Sequence, residues 1–153
     1  MGTEHLAVMI RETVRRCGDR AAMRHREGTE WRSISYRELG ARIEAMARAL
    51  LEWGIRQGDM VGIFSQNRPE WAIADFGVLS LRAASVPIYA TSSARQAEYI
   101  VDEAQVRLIF VGDQAQYDKV LSFRARTPKL EKVVVFDESV KLSGDDSRHF
   151  QDF

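Results

Sequence analysis

Cysteine is almost absent. Cys17 is the single one, so no internal disulfide can form, which suits a reducing compartment. It falls on a predicted helix with no adjacent histidine or aspartate, and reads as an inert packing or surface thiol rather than a nucleophile. Net charge is absent too. Twenty-two basic residues balance twenty-two acidic ones, which removes any overall pull toward nucleic acid or an anionic membrane. Lysine is scarce, four against eighteen arginines, and no basic run interleaves with aromatics, so composition bias explains the excess of arginine.

No apolar run approaches the roughly 20 residues that a membrane helix needs. The opening MGTEHLAVMIRET lacks the charged, apolar, small order of a secretion signal, and Gly2 heads only a poor match to a myristoylation site. The expected location is cytoplasmic. Glycine-rich phosphate loops are missing as well: the ten glycines form neither GxGxxG nor GxxxxGK[ST]. A phosphate bound in an α/β fold needs bare backbone amides between a strand and a helix. The polar loop Ser65–Glu70, which follows the first apolar strand, has no glycine.

What is present is a regular alternation. Leu6, Met9, Ile10 and Val14 mark an amphipathic helix over 5–16 that ends near Gly18. Residues 21–26 and 29–33 predict a hairpin turning at Gly28, with Trp31 and Ile34 buried. Ser35 and Glu38 have capping-box spacing, and the helix behind them puts Leu39, Ile43, Met46, Leu50 and Trp53 on one face, with Gly54 ending it. After a turn at 56–59, Met60–Phe64 is a strand apolar on both faces, as in a parallel sheet.

Asn67 is the expected cap and Pro69 the first-turn residue of a largely buried helix that runs on to Ala84. A second buried strand follows at 85–89, then a helix from the cap Thr91-Ser92-Ser93 to about Ala104. A strand at 106–111, a helix at 113–124 and a strand at 132–136 complete the series. The fold class is α/β, a mostly parallel sheet flanked by helices with a small amino-terminal hairpin. Residues 139–153 read as a polar tail leading into a truncated helix that begins at Phe150 and Phe153.

Candidate chemistry is thin. Arg68 is the one loop residue placed to touch an anion, with a solvated or ion-paired arginine as its default. His5, His25 and His149 lie far apart without metal-ligand spacing, and Asp145-Asp146 alone supply too few oxygens for a cation. The tryptophans and phenylalanines between Trp53 and Phe76 are core residues before they are a ligand box. No catalytic, cofactor-binding or metal-binding residue can be nominated.

Several segments, taken in order, resemble one family. Trp31 with Ser35-Tyr36-Arg37-Glu38-Leu39 resembles the "W…TY.EL" segment of AMP-forming acyl-CoA synthetases. Gly54-Ile55, Gly58-Asp59 and Val61-Gly62-Ile63 are similar to their "G(I/V)..GD.V.I". Ser65, Asn67, Pro69, Glu70 and Trp71 match "S.N.PEW", and Val86-Pro87-Ile88-Tyr89 with Thr91 and Ser93 match "VP(I/L)Y.T.S" of the long-chain fatty acid branch. Tyr99-Ile100-Val101 and Leu108-Ile109-Phe110-Val111 continue the match, which runs from Trp31 to Phe136. One departure is Leu81-Arg82-Ala83-Ala84-Ser85, where many relatives have a glycine shortly before the Val-Pro pair.

The resemblance implies the amino-terminal portion of a bacterial long-chain fatty acid–CoA ligase, with residues 1–153 the first part of an AMP-binding domain. The full enzyme would use ATP, CoA and magnesium to make an acyl-adenylate and then a thioester. It would pair these residues with the remainder of the ligase domain, in the cytoplasm or peripheral to the inner membrane. The family's YTSGTTG.PKG phosphate loop, ribose-binding aspartate and late lysine do not occur here, so the chain alone is expected to be inactive. The alternative is a self-contained binding or dimerisation module, including a homodimer. A free-standing nucleotide-binding or phosphoacceptor domain fits less well, lacking the glycine loop and an acidic cluster at a strand end.

Overall fold

The computed structural model describes residues 5–153, so the Gly2 reading lies outside it. Helix α1 (Leu6–Cys17) starts at His5, whose Nδ1 accepts from Ala7 N–H at 3.2 Å, and stops at Gly18, where φ is +50°. Strands β1 (Ala21–Glu27) and β2 (Glu30–Ser35) form an antiparallel hairpin on the helix layer. Helix α2 (Tyr36–Glu52) is capped by Ser35 Oγ, which accepts from Glu38 N–H at 3.1 Å. Only this half of the expected box forms, and Glu38 turns instead to Arg42 one helical turn on. Gly54 and Gly58, at φ +86° and +85°, make the turns that lead into the sheet.

The sheet has five parallel strands in the order β4-β3-β5-β6-β7. They are β3 (Met60–Phe64), β4 (Ala84–Ile88), β5 (Leu108–Val111), β6 (Lys132–Val135) and β7 (Ser147–His149). Strand alternation divides the core in two. Val61, Ile63, Leu108, Phe110 and Val134 face α2 and α3 (Pro69–Ser80), with α1 packed outside them. Phe64, Ile109, Val111, Val133 and Val135 face α4 (Ala94–Glu103) and α5 (Gln114–Phe123). Gly77 lets α3 lie directly on Met46 of α2, where any Cβ would collide. The α/β class with its parallel sheet and amino-terminal hairpin is as the sequence predicts.

Five details differ. Trp31 is 71% exposed while Ile34 is 2% exposed, because the register alternates β2 and turns Trp31 outward. The residue preceding α3 is Arg68, without a side-chain cap, rather than Asn67. Helix α3 ends at Ser80, not Ala84, since Arg82 takes the left-handed φ of +56° and its carbonyl accepts from Gly58 N–H. That is the conformation glycine takes at least cost, and the chain makes the turn with an arginine.

Strand β4 is not buried on both faces, because it is the sheet edge. Ala84 N–H donates to Asp59 O, which points the even-numbered donors of β4 toward β3. Pro87, with no N–H to offer, therefore lies with its nitrogen on the open edge and blunts it against strand addition. Finally, 139–153 is not a polar tail all the way to its last helical turn. It contains β7 and a 3-10 turn at Phe150–Asp152, and Tyr117 Oη holds it through Ser147 Oγ at 3.1 Å and the Ser143 carbonyl at 3.1 Å. Phe150 and Phe153 close the first core, edge-on to Phe136 at 5.2 Å and to Trp53 at 4.5 Å.

Candidate functional site at the carboxyl rim of the sheet

From β3 the chain passes to α3 on one face, and from β5 to α5 on the other. The carboxyl ends of β3 and β5 are neighbours, so the crevice between their loops is the switch point of the sheet, where doubly wound folds bind ligands. Here the protein's own amides fill it. Gln116, buried in the first turn of α5, accepts at Oε1 from the N–H groups of Gly112 (3.0 Å) and Asp113 (3.1 Å). Its Nε2 donates to Gln66 Oε1 at 3.2 Å and to the Ala90 carbonyl at 3.4 Å, which ties the loops after β3, β4 and β5 together. Asp113 Oδ1 returns a cap by accepting from Gln116 N–H at 3.1 Å. A Cβ on Gly112 would stand 2.6 Å from Ser65 Oγ and from Gln66 Oε1, so only glycine admits this packing.

The chemical consequence is direct. Two backbone donors just before α5, on Gly112 and Asp113, are already bound by Gln116 and are not offered to a phosphate. Arg68, the sequence candidate for anion contact, is committed as well. Its Nε donates to Glu70 at 2.8 Å, its terminal nitrogen to the Gly112 carbonyl at 3.2 Å, and its guanidinium lies 5.4 Å from the Phe136 ring centre. It staples the two loops of the switch point, as its default reading has it. Beside the crevice, between the ends of β3 and β4, lies a groove of about 530 Å³ walled by Asn67, Trp71, Pro87, Tyr89 and Thr91. Its walls hold no carboxylate, cation, thiol or imidazole, and the Tyr89 phenol is their one ionisable group, so it suits a neutral group held by hydrogen bonds and ring contact.

The other candidates stay apart. His5 caps α1, His25 lies on β1, and His149 on β7 bonds the Val140 carbonyl at 3.0 Å. Asp146 pairs with Arg124 at 2.5 Å, and Cys17 is half-buried at the end of α1. No three metal-capable side chains gather among the described residues. Sequence reasoning missed Gln66 and Gln116. The signal for Gln116 was the capping-box spacing Asp113-x-x-Gln116. Nothing in the sequence marks Gln66 as its partner.

One rim carboxylate carries a pH signature. The hydroxyl and N–H of Ser139 both donate to Asp137 Oδ1, at 2.7 and 2.9 Å, and hold its carboxyl below the usual aspartate range, with the charges of Arg68 and His149 adding. A carboxyl whose folded value is depressed stabilises the fold fully above its unfolded value and loses that contribution as pH falls through the folded one. The urea midpoint should therefore fall as pH drops from about 5 to about 2. Asp137→Asn should flatten part of that fall, and an unchanged profile in the variant would remove Asp137 from the account.

Comparison with known proteins is consistent over the whole fold. The AMP-binding enzyme family matches residues 10–151. The long-chain-fatty-acid–CoA ligase ACSBG2 of Xenopus laevis is 29% identical over 87% of this chain and 18% of its own length. The long-chain-fatty-acid–CoA ligase FadD15 of Mycobacterium bovis is 35% identical over 68% of this chain and 17% of its own. Among solved structures, the anthranilate CoA ligase AuaEII in complex with anthranoyl-AMP superposes with a TM-score of 0.85 at 22% identity, covering 97% of this chain and 27% of that one. Coronafacic acid ligase of Pectobacterium brasiliense superposes equally well, at 0.85 and 17% identity. The chain thus spans under a fifth of the length of these curated relatives.

Proposed function

We propose that this chain, which belongs to the AMP-binding enzyme family, serves a long-chain fatty acid–CoA ligase as the scaffold of its amino-terminal region and does no chemistry alone. The full reaction would join a fatty carboxylate to ATP as an acyl-adenylate with loss of pyrophosphate, and then pass the acyl group to CoA with loss of AMP. The observation that carries the scaffold reading is the filled switch point. Gln116 occupies the amide donors of Gly112 and Asp113, so this crevice does not offer them to a triphosphate, and no three metal-capable side chains gather among the described residues. No step of the reaction is routed through them.

The segments resembling the long-chain branch, and relatives named as long-chain ligases, support the fatty acid as substrate. Tyr89 and Tyr99, 86% and 67% exposed near the edge strand, suit contact with the remainder of a ligase domain or with a second copy. No described helix is long and apolar enough to cross a membrane, and the proposed setting is the cytoplasm.

The test is fatty-acid-dependent exchange of pyrophosphate into ATP by the 153-residue chain. We expect none above the blank, and robust exchange would overturn the scaffold reading. Light scattering with an apolar dye reports the second question, with a clean monomer that binds no dye favouring the self-contained module.

A further inference from the structure

The neutral charge of the whole chain conceals a segregation. Residues 5–37 hold eight arginines against four acids, and residues 38–153 hold fourteen bases against seventeen acids. The hairpin concentrates this surplus on one face. Its register pairs Arg24 with Ser33 and Arg26 with Trp31, and these four residues alternate onto the side away from Met23 and Ile34, which pack on the core. All four are exposed. The two acids of the turn, Glu27 and Glu30, lie on the other face, both within reach of Arg32 at 3.1 and 3.6 Å. Arg24 and Arg26 have no carboxylate within ion-pair distance among the described residues.

Trp31 is the most exposed tryptophan of the fold, and neither neighbouring guanidinium covers its ring. A bare indole between two free guanidiniums is costly in water and suits a surface that offers apolar depth beside phosphate. Indoles settle at the level of lipid headgroups, and arginine beside them binds phosphate. The hairpin also roots at the end of α1, whose last turn carries Arg15 and Arg16. An acidic protein surface is the competing occupant, and the polyglutamate arm of the test reports it.

We propose that the outer face of the β1–β2 hairpin docks on an anionic phospholipid surface, with Trp31 entering the headgroup layer and Arg24 and Arg26 on lipid phosphates. This names the face for the peripheral membrane setting that the family resemblance implies, and its vesicle assay is read separately from the exchange assay. The test is cosedimentation of the whole chain with vesicles of phosphatidylcholine alone and of phosphatidylcholine with phosphatidylglycerol, at low and high salt.

Partition should rise with the anionic lipid and fall with salt. Arg24→Ala with Arg26→Ala should cost roughly twenty-five-fold, at roughly fivefold per arginine, and Trp31→Ala several-fold. Each variant should keep the parent's circular dichroism, since none of the three side chains is buried. Tyr99→Ala, an equally bare aromatic elsewhere, should change nothing. Equal loss with Tyr99→Ala, unchanged partition with Trp31→Ala, or retention on immobilised polyglutamate without any vesicle binding would each overturn the proposal.

Discussion

Phe110→Ala should lower the free energy of unfolding by about 3–5 kcal/mol. Phe110 is fully buried at the middle of β5, with strands on both sides of it. Its ring stacks on Phe136 at 5.6 Å and meets Phe153 edge-on at 6.0 Å and Phe150 at 6.3 Å. Truncation removes the transfer energy of a large side chain and leaves a cavity that two hydrogen-bonded neighbours prevent from closing. It also undoes the contact by which the last residues seal the first core. Urea denaturation should show a lower midpoint with little change in slope, because the surface exposed on unfolding barely alters. A loss under about 1 kcal/mol would mean that the aromatic cluster relaxes freely and does not organise this face.

Gln116→Leu should cost about 2–4 kcal/mol despite the gain in apolar volume. Leucine fills the same space but leaves Asp113 N–H, Gln66 Oε1 and the Ala90 carbonyl without the partner each now has. A buried donor or acceptor stripped of its partner costs about 1–3 kcal/mol, and water entry at the rim recovers part of it. Gln116→Glu separates the two halves of the network. It keeps the acceptor for Gly112 and Asp113 and loses the donor to Gln66 and Ala90, so its cost should fall between the parent and the leucine variant. Equal stability of Gln116→Leu and the parent would show that the amide plug does not hold the switch-point loops.

The two substitutions also divide what could be read in the sequence from what could not. Phe110 lies in the continuous run Leu108–Val111, and such a run predicts a strand buried on both faces before any contact is known. Gln116 lies at a polar helix start, where its spacing from Asp113 predicts a cap and nothing predicts the bond to Gln66, fifty residues away. Trp31 was misplaced for a related reason. Its size argues for burial, but the face it takes depends on the strand register. The closing segment was misread because Ser139–His149 is polar in composition, and only the presence of β6 beside it turns Ser147–His149 into a strand.

The amino-acid sequence by itself determined the order of helices and strands as far as β6, the caps at Ser35 and Ser93, and the likeness to acyl-CoA synthetases. These are properties of short segments, set by side-chain period and local hydrogen bonds. The tertiary structure alone decided that β4 is an edge, that the crevice beside β3 and β5 is stoppered by Gln66 and Gln116, and that Arg24, Arg26 and Trp31 share one bare face. The first two depend on which strand lies beside which, a choice among distant pairings that no local pattern encodes, and the third on the register of the hairpin.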